Sequence, residues 1–299
     1  MSANILEIHH LTKRFSDFTL DNLNLAVEPG TITGLVGANG AGKSTTIKLI
    51  LNLLRRDAGE IRVFGLDNIR DAAAVRQQIG VVFDEPCFHE ILTPRQVGCY
   101  MRGLYAQWDT EVYTSYLHRF GLPENKKVKE FSRGMKMKLS IAAALSHNPR
   151  LLLLDEPTSG LDPLVRDEIL DIFLEFLQDD QRAVVLSTHI TSDLDKIADT
   201  IAMLSHGRLV FHEEKDALRD KYVLVKGSRE QLGRLGRDRL IGLRENSFGG
   251  EALCMRADLA GCPELAVERP TVEEIMLSFS RQEKNTAAGD PARKGGMSL

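Results

Sequence analysis

The sequence of 299 residues lacks the cysteine pattern of a metal-binding or disulfide-stabilised protein. Its four cysteines are Cys87, Cys99, Cys254 and Cys262, and they form no C-x-x-C pair and have no histidines at metal-ligand spacing nearby. This spacing argues against a zinc site or a disulfide framework and favours a reducing, cytoplasmic environment.

The chain also lacks an excess of positive charge. It carries 38 basic and 42 acidic residues, for a formal net charge of −4. A nucleic-acid-binding domain usually shows a basic excess, so we expect no nucleic-acid partner.

Long apolar runs are missing as well. A membrane-spanning helix needs about 18 uninterrupted apolar residues, and the N-terminal residues lack the basic-then-apolar order of a signal peptide. We therefore expect contact with a membrane only through a partner. Hydrophobic residues still make up 43% of the chain, which is enough for a packed core.

What the chain does contain is a phosphate-binding loop. Residues 37 to 44 read Gly-Ala-Asn-Gly-Ala-Gly-Lys-Ser and follow an apolar run, 32–36, that has the character of a buried strand. The glycines let the backbone fold around an anion, Lys43 neutralises the β- and γ-phosphates, and the Ser44 hydroxyl is suited to ligate Mg²⁺. The predicted nucleotide contacts of this segment are Gly37, Asn39, Gly40, Ala41, Gly42, Lys43, Ser44 and Thr45. The pattern predicts that the chain binds ATP with Mg²⁺.

A second part of the nucleotide site follows the apolar segment 151–154. Asp155 is predicted to hold Mg²⁺, and Glu156 to accept a proton from the water that attacks the γ-phosphate. His189 follows another apolar strand, 183–187, at the strand end where open α/β sheets bind ligands. We predict a contact from His189 to the γ-phosphate, with Glu156, His189 and Lys43 as the catalytic residues.

The order of elements indicates an α/β fold. Residues 1–222 alternate short β-rich runs with helical stretches, which is typical of a mostly parallel sheet flanked by helices. An antiparallel subdomain is expected beside it, and a mainly helical segment between residues 93 and 145. The predicted strands are 5–11, 23–27, 31–36, 60–64, 79–83, 151–154, 183–187, 201–204 and 208–212. The pattern in residues 223–280 predicts a small α+β accessory domain with strands at 223–225 and 253–255 and a helix at 271–279. Residues 281–299 are predicted to form a disordered tail.

These motifs, with two further segments, resemble the ATP-binding cassette (ABC) ATPases. The segments are Phe131-Ser-Arg-Gly-Met135 before the Asp155 strand and Ser159-Gly-Leu-Asp162 after it, and His189 follows on the next strand. The resemblance covers about residues 3 to 222. It implies a P-loop core that dimerises around two ATP molecules and drives a membrane permease that is a separate subunit.

The resemblance also implies roles for residues outside the phosphate loop. Phe15 would stack on adenine, Ser132 and Gly134 would contact the γ-phosphate held by the opposite subunit, and Asp162 would lie at the dimer interface. The dimer would be a homodimer or a heterodimer with another ABC ATPase, peripheral on the inner face of the membrane.

The sequence departs from the family pattern in two places. The signature usually reads Leu-Ser-Gly-Gly-Gln, and here Arg133 either adds positive charge near the phosphates or points to solvent. The strand 79–83 usually leads to a glutamine that touches Mg²⁺, where this chain has Asp84. We predict Asp84 as a metal ligand. The alternatives are that Glu85 is the equivalent residue or that the loop carboxylates are solvated.

The best interpretation is the ATPase subunit of a bacterial ABC exporter of a drug, antimicrobial peptide or cell-envelope compound. The residues after Phe83, the altered signature and the segment 270–277 resemble ATPases of bacitracin-type and antibiotic-resistance exporters. The alternatives are a soluble ABC ATPase that acts mechanically on a macromolecule, and a regulatory module without hydrolysis. The mechanical ATPase would need paired cassettes, a long coiled-coil insertion or a basic arm. The regulatory module is disfavoured by the residues that hydrolysis needs, which are intact: Lys43, Asp155, Glu156 and His189.

Overall fold

A computed structural model describes residues 4–85, 88–247, 249–259 and 264–289. The chain forms two compact units. The first contains the residues up to Asp193 together with Ile197–His212, and the second contains Leu194–Lys196 and the residues from Glu213 onward. Each unit is described by itself below.

The strands between residues 4 and 214 belong to two sheets. They are β1 (Leu6–Arg14), β2 (Thr19–Val27), β3 (Ile32–Val36), β4 (Ala58–Val63), β5 (Leu66–Asp67), β6 (Ile79–Val82), β7 (Leu151–Asp155), β8 (Ala183–Thr188), β9 (Thr200–Ser205) and β10 (Arg208–Glu214). The larger sheet has the order β10-β9-β3-β8-β7-β6, and β6, β7, β8, β3 and β9 pair in parallel. Residues of β3, β7 and β8 are buried without interruption, as expected for parallel strands covered on both faces.

The smaller sheet of the first unit is antiparallel and has the order β2-β1-β4-β5. Its strands alternate buried and exposed positions more than the parallel strands do, because one face packs on the core and the other meets solvent. Leu6, Leu23 and Ile61 from this sheet and Leu35 and Leu153 from the parallel sheet belong to one hydrophobic cluster.

The helices of the first unit cover the parallel sheet and form the helical segment. They are α1 (Lys43–Ile50), α2 (Ala72–Gln77), α3 (Pro94–Arg102), α4 (Thr110–Arg119), α5 (Arg133–Leu145) and α6 (Pro163–Phe176), with a 3-10 turn at Val128–Glu130. The helix α7 (Thr191–Ile197) is shared, because Leu194–Lys196 belong to the second unit. The polar residues that precede α3, α4, α5 and α6 cap their first turns: Thr93, Asp109, Ser132 and Asp162 accept hydrogen bonds from backbone N–H groups there.

The second unit is a small α+β fold. Its elements are α8 (Lys215–Lys221), β11 (Tyr222–Gly227), α9 (Arg229–Leu235), β12 (Ile241–Glu245), β13 (Gly250–Met255), β14 (Ala266–Glu268) and α10 (Val272–Gly289), with 3-10 turns at Arg237–Arg239 and Arg256–Leu259. The strands form an antiparallel sheet with the order β12-β13-β11-β14. Val223, Val225, Leu232 and Cys254 belong to its hydrophobic core.

The fold class is confirmed: an α/β core with an antiparallel subdomain and a helical segment, followed by a small α+β extension. The second unit begins at Glu213, before the boundary predicted at residue 222. The reason lies in α8, because Lys215 Nζ donates to Asp195 O at 3.0 Å and Leu218 is fully buried. The assignment of residues 223–280 to an accessory domain stays a prediction.

The helix α10 continues to Gly289, past the start of the tail predicted from residue 281. The disorder of that tail stays a prediction. The residues that extend the helix include strong helix formers such as Gln282, Glu283 and Ala287. A tertiary contact also stabilises this part of the helix, since Gln282 Oε1 accepts a hydrogen bond from Gly242 N at 3.0 Å. Residues 290–299 lie outside the described part of the chain.

No helix in the described part of the chain is both long enough and apolar enough to cross a bilayer.

Candidate nucleotide site

The phosphate loop connects β3 to α1, as the sequence predicts. Gly37, Gly40 and Gly42 have φ angles of 153°, 80° and 113°, which side chains disfavour. A Cβ atom on Gly37 would lie 2.3 Å from Leu204 O, so a side chain does not fit there. Asn39 is exposed at the loop and Ala41 is buried beneath it, and Thr45 is half-buried on the first turn of α1. The loop therefore has the shape of an anion cradle at a helix N-terminus.

Lys43 lies across this loop. Its Nζ donates to Gly37 O at 2.8 Å and to Ala38 O at 3.4 Å, and it lies 3.6 Å from Glu156 Oε1. Only 6% of the side chain is exposed, so the ammonium group satisfies its charge through these oxygens. From this position the Lys43 ammonium group can exchange these oxygens for phosphate oxygens.

The Ser44 hydroxyl contacts the Asp155 carboxylate beside the phosphate loop. Ser44 Oγ donates to Asp155 Oδ1 at 3.0 Å, and Asp155 ends the buried strand β7 with 5% of its surface exposed. A hydroxyl and a carboxylate oxygen are hard ligands of the kind that Mg²⁺ prefers. The donor set therefore fits the predicted magnesium site.

Glu156 follows β7 in an unusual backbone conformation, with a φ of 52°. Its N–H donates to Ser187 O at 2.9 Å, which ties this turn to β8. Glu156 Oε2 accepts hydrogen bonds from His189 N at 3.3 Å and from His189 Nδ1 at 2.7 Å. Because a carboxylate only accepts, His189 Nδ1 carries a proton in this contact. Left-handed backbone at a non-glycine residue is strained and is typical of functional sites.

These contacts bring together the residues predicted to be catalytic. Glu156 contacts Lys43 on one side and His189 on the other, and His189 is half-exposed. The sequence predicted that Glu156 and His189 each lie at the carboxyl end of a strand. The parallel pairing of β7 with β8 brings the two side chains into direct contact.

Phe15, the predicted adenine contact, lies just after β1. Its ring is 40% exposed, and Lys13 Nζ lies 5.6 Å from the ring centroid. Phe15 N donates to Phe18 O at 2.8 Å, and Phe18 Cζ lies 3.3 Å from the position that a Cβ atom on Gly42 would occupy. The turn that carries Phe15 is therefore adjacent to the phosphate loop, and the stacking role stays a prediction.

The residues predicted to contact an opposite subunit have local roles within this chain. Ser132 Oγ accepts from Met135 N at 3.2 Å and Asp162 Oδ1 accepts from Val165 N at 3.1 Å, so both cap helices. A Cβ atom on Gly134 would meet only ordinary contacts, at 3.7 Å or more. Steric crowding within the subunit therefore does not require glycine at position 134, and the predicted contacts across a dimer remain to be tested.

Asp84, the predicted metal ligand, is paired with Arg133 of the altered signature segment. Arg133 Nη2 lies 2.5 Å from Asp84 Oδ1, and both side chains are about half exposed. Among the described residues, no three His, Cys, Asp or Glu side chains form a group that could hold a metal ion. Asp84 is thus engaged by Arg133, and its metal role stays a prediction.

A buried hydrogen-bond network centred on Asp193 was not predicted from the sequence. Thr158 Oγ1 donates to Asp193 Oδ2 at 2.6 Å, and Arg166 Nε donates to Asp193 Oδ1. Asp193 is 1% exposed. The sequence shows an acidic residue, Asp193, four positions after His189. The partners of Asp193, Thr158 and Arg166, lie 35 and 27 residues away in sequence, so no local pattern indicates the network.

Fold and site together define an ATPase with a P-loop core. A family model described as "ABC transporter" matches residues 20–159. The bacitracin transport ATP-binding protein BcrA of Bacillus licheniformis is 34% identical over 214 residues, which cover 70% of this chain and 69% of that protein. The daunorubicin resistance ATP-binding protein DrrA3 of Streptomyces coeruleorubidus is 31% identical over 311 residues, which cover 95% of this chain and 98% of that protein.

A solved structure of the ATP-binding subunit of an ABC transporter is similar as well. It has a TM-score of 0.67 and 29% sequence identity, and the match covers 72% of this chain and 92% of that one. The chain therefore belongs to the ABC transporter family, as an ATP-binding and ATP-hydrolysing subunit.

Proposed function

We propose that this chain is the ATPase subunit of a bacterial exporter and that it drives a separate membrane permease by ATP-dependent dimerisation. The observation that carries the ATPase role is Glu156, whose carboxylate lies 3.6 Å from Lys43 Nζ and 2.7 Å from His189 Nδ1 beside the phosphate loop. The exporter role is supported by relatives named for bacitracin transport and daunorubicin resistance.

The geometry supports a division of roles in hydrolysis. Lys43 exchanges Glu156 and the loop carbonyls for the β- and γ-phosphates of ATP, which frees the Glu156 carboxylate to accept a proton from the attacking water. His189 keeps that carboxylate oriented and lies where it can approach the γ-phosphate. Ser44 and Asp155 would hold Mg²⁺, which neutralises phosphate charge when bound.

The proposed assembly contains two ATPase subunits, identical or different, and a permease. Ser132, Gly134 and Asp162 lie at helix N-termini, where backbone N–H groups favour an anion such as the γ-phosphate of the opposite site. The substrate class is a drug, an antimicrobial peptide or a cell-envelope compound. In this assembly the chain is cytoplasmic and peripheral on the inner face of the membrane.

The Glu156→Gln variant tests the ATPase role. The amide keeps the shape of the side chain but cannot take the proton, so we expect unchanged ATP affinity and a loss of turnover of about 10²-fold or more. The variant should accumulate as an ATP-bound dimer in size-exclusion chromatography with Mg-ATP. A variant that stays monomeric and hydrolyses ATP at the parent rate would contradict the proposal.

Transport is tested in cells that carry the permease. A strain without this chain should accumulate fluorescent daunorubicin or lose bacitracin resistance. The parent chain should restore export, and the Glu156→Gln chain should not. If neither compound responds although the parent enzyme hydrolyses ATP, the exporter role for these two compounds is wrong and the ATPase role stands.

A further inference from the structure

The buried carboxylate of Asp193 joins three segments of the first unit. Thr158, in the segment that follows Glu156, donates to Asp193 Oδ2 at 2.6 Å. Arg166 on α6 donates to Asp193 Oδ1, and its Nη2 donates to Ser192 Oγ at 2.5 Å. Asp193 itself lies on the first turn of α7, four residues after His189.

These contacts close a ring that includes the contact between Glu156 and His189. One side of the ring is the contact between Glu156 Oε2 and His189 Nδ1 at 2.7 Å, and the other side is the contact between Thr158 and Asp193. Short stretches of backbone, two and four residues long, connect the two sides. A shift of α7 away from Thr158 would therefore also move His189 away from Glu156.

The chemistry of the network favours a carboxylate. Thr158 and Arg166 both donate, and each uses a different oxygen of Asp193. An asparagine keeps one acceptor oxygen, but its NH₂ group donates, so the Thr158 hydroxyl would have to turn and accept, and Arg166 would lose the negative charge that it faces. Asp193 is 1% exposed and the Arg166 side chain 25%, so water cannot readily compensate for the lost charge.

We propose that Asp193 is a positioning residue for ATP hydrolysis: together with Arg166 and Thr158 it holds the segment that carries His189 against the segment that carries Glu156. The inference rests on the roles proposed above for Glu156 and His189. Asp193 does not touch the nucleotide in this proposal, and it acts through the His189–Glu156 contact.

The first test is Asp193→Asn in the full chain. We expect turnover to fall by about tenfold, the rate equivalent of one charge-assisted hydrogen bond, with the KM for ATP within about twofold of the parent value. The matched control is Asp67→Asn. Asp67 is 13% exposed, pairs with Arg56 at 2.9 Å, and belongs to the antiparallel sheet. We expect the control to lower the thermal unfolding temperature without lowering turnover.

A double-mutant cycle separates positioning from general stability. If Asp193 acts through His189, then Asp193→Asn should cost less than about twofold in a His189→Ala background. Losses that multiply in the double variant, an unchanged turnover in Asp193→Asn, or an equal loss in Asp67→Asn would each overturn the inference while leaving the proposed function intact. If His189→Ala has no effect on turnover, both the role of His189 and this inference are wrong.

A milder change covers the case in which Asp193→Asn does not fold. Thr158→Val removes only the hydroxyl that donates to Asp193, and Thr158→Ser retains it. We expect Thr158→Val to lose turnover at unchanged KM, and Thr158→Ser to recover most of that loss. Equal turnover in the valine and serine variants would show that the hydroxyl contact has no part in positioning.

Discussion

We predict that His147 makes the stability of the first unit sensitive to acid. Its ring stacks on Tyr105 with centroids 3.8 Å apart, beside a cavity of about 60 Å³ lined by apolar residues such as Val81 and Met101. The residue is 1% exposed, and its Nδ1 has no hydrogen-bond partner among the described residues. Burial lowers the pKa of His147 from 6.5 to about 4. His147 in the folded protein therefore takes up a proton only as the pH falls towards 4.

The sign of the effect follows from the two pKa values. Between pH 6.5 and pH 4 the unfolded chain binds a proton that the folded chain does not, so the folded state loses stability as the pH falls through this window. The full difference between 6.5 and about 4 corresponds to about 3 kcal/mol at 1.36 kcal/mol for each pH unit. About 2 kcal/mol of it is expected between pH 7.5 and pH 5.0.

Trp108, the single tryptophan, reports on unfolding in this region, since its ring lies 5.1 Å from that of Tyr113 in the helical segment. Urea unfolding followed by its fluorescence should show a smaller loss of stability between pH 7.5 and pH 5.0 in His147→Phe than in the parent, by about 2 kcal/mol. The control is His118→Gln, because the His118 side chain is 74% exposed. Parallel pH dependence in the parent and His147→Phe would refute the reasoning.

Other variants test the site and the second unit. Lys43→Ala should lose ATP binding, because the phosphate charge loses its buried ammonium partner; unchanged affinity by calorimetry would remove Lys43 from the phosphate site. If Asp84 ligates the metal, Asp84→Gln should change the Mg²⁺ concentration for half-maximal turnover while Glu85→Gln does not; sensitivity in Glu85→Gln alone would move the metal role by one residue. Arg133→Gln removes the same ion pair as Asp84→Gln, so an equal shift in both would assign the effect to the pair rather than to the metal. A chain ended after Glu214 should keep its ATP affinity, since the candidate nucleotide contacts precede that residue; a folded product that fails to bind ATP would contradict this.

Much of the fold and of the phosphate site could be predicted from the sequence, because their determinants are local. The glycine spacing from Gly37 to Gly42 and the apolar run of β3 together encode the loop, and the structure shows the positive φ angles that the glycines allow. The apolar runs of β7 and β8 predicted strands that are buried throughout. Each of these features depends on residues within a few positions of one another.

Tertiary structure decided the contacts between distant segments. The left-handed backbone of Glu156, its contact with His189 and the burial of Asp193 between Thr158 and Arg166 depend on how β7, β8 and their following segments pair. The same holds for the extension of α10 to Gly289, where Gln282 accepts a hydrogen bond from a residue 40 positions away. A single sequence contains no local pattern for such pairs, since hydrogen bonds and charge pairing depend on distances that exist only after the sheets have formed.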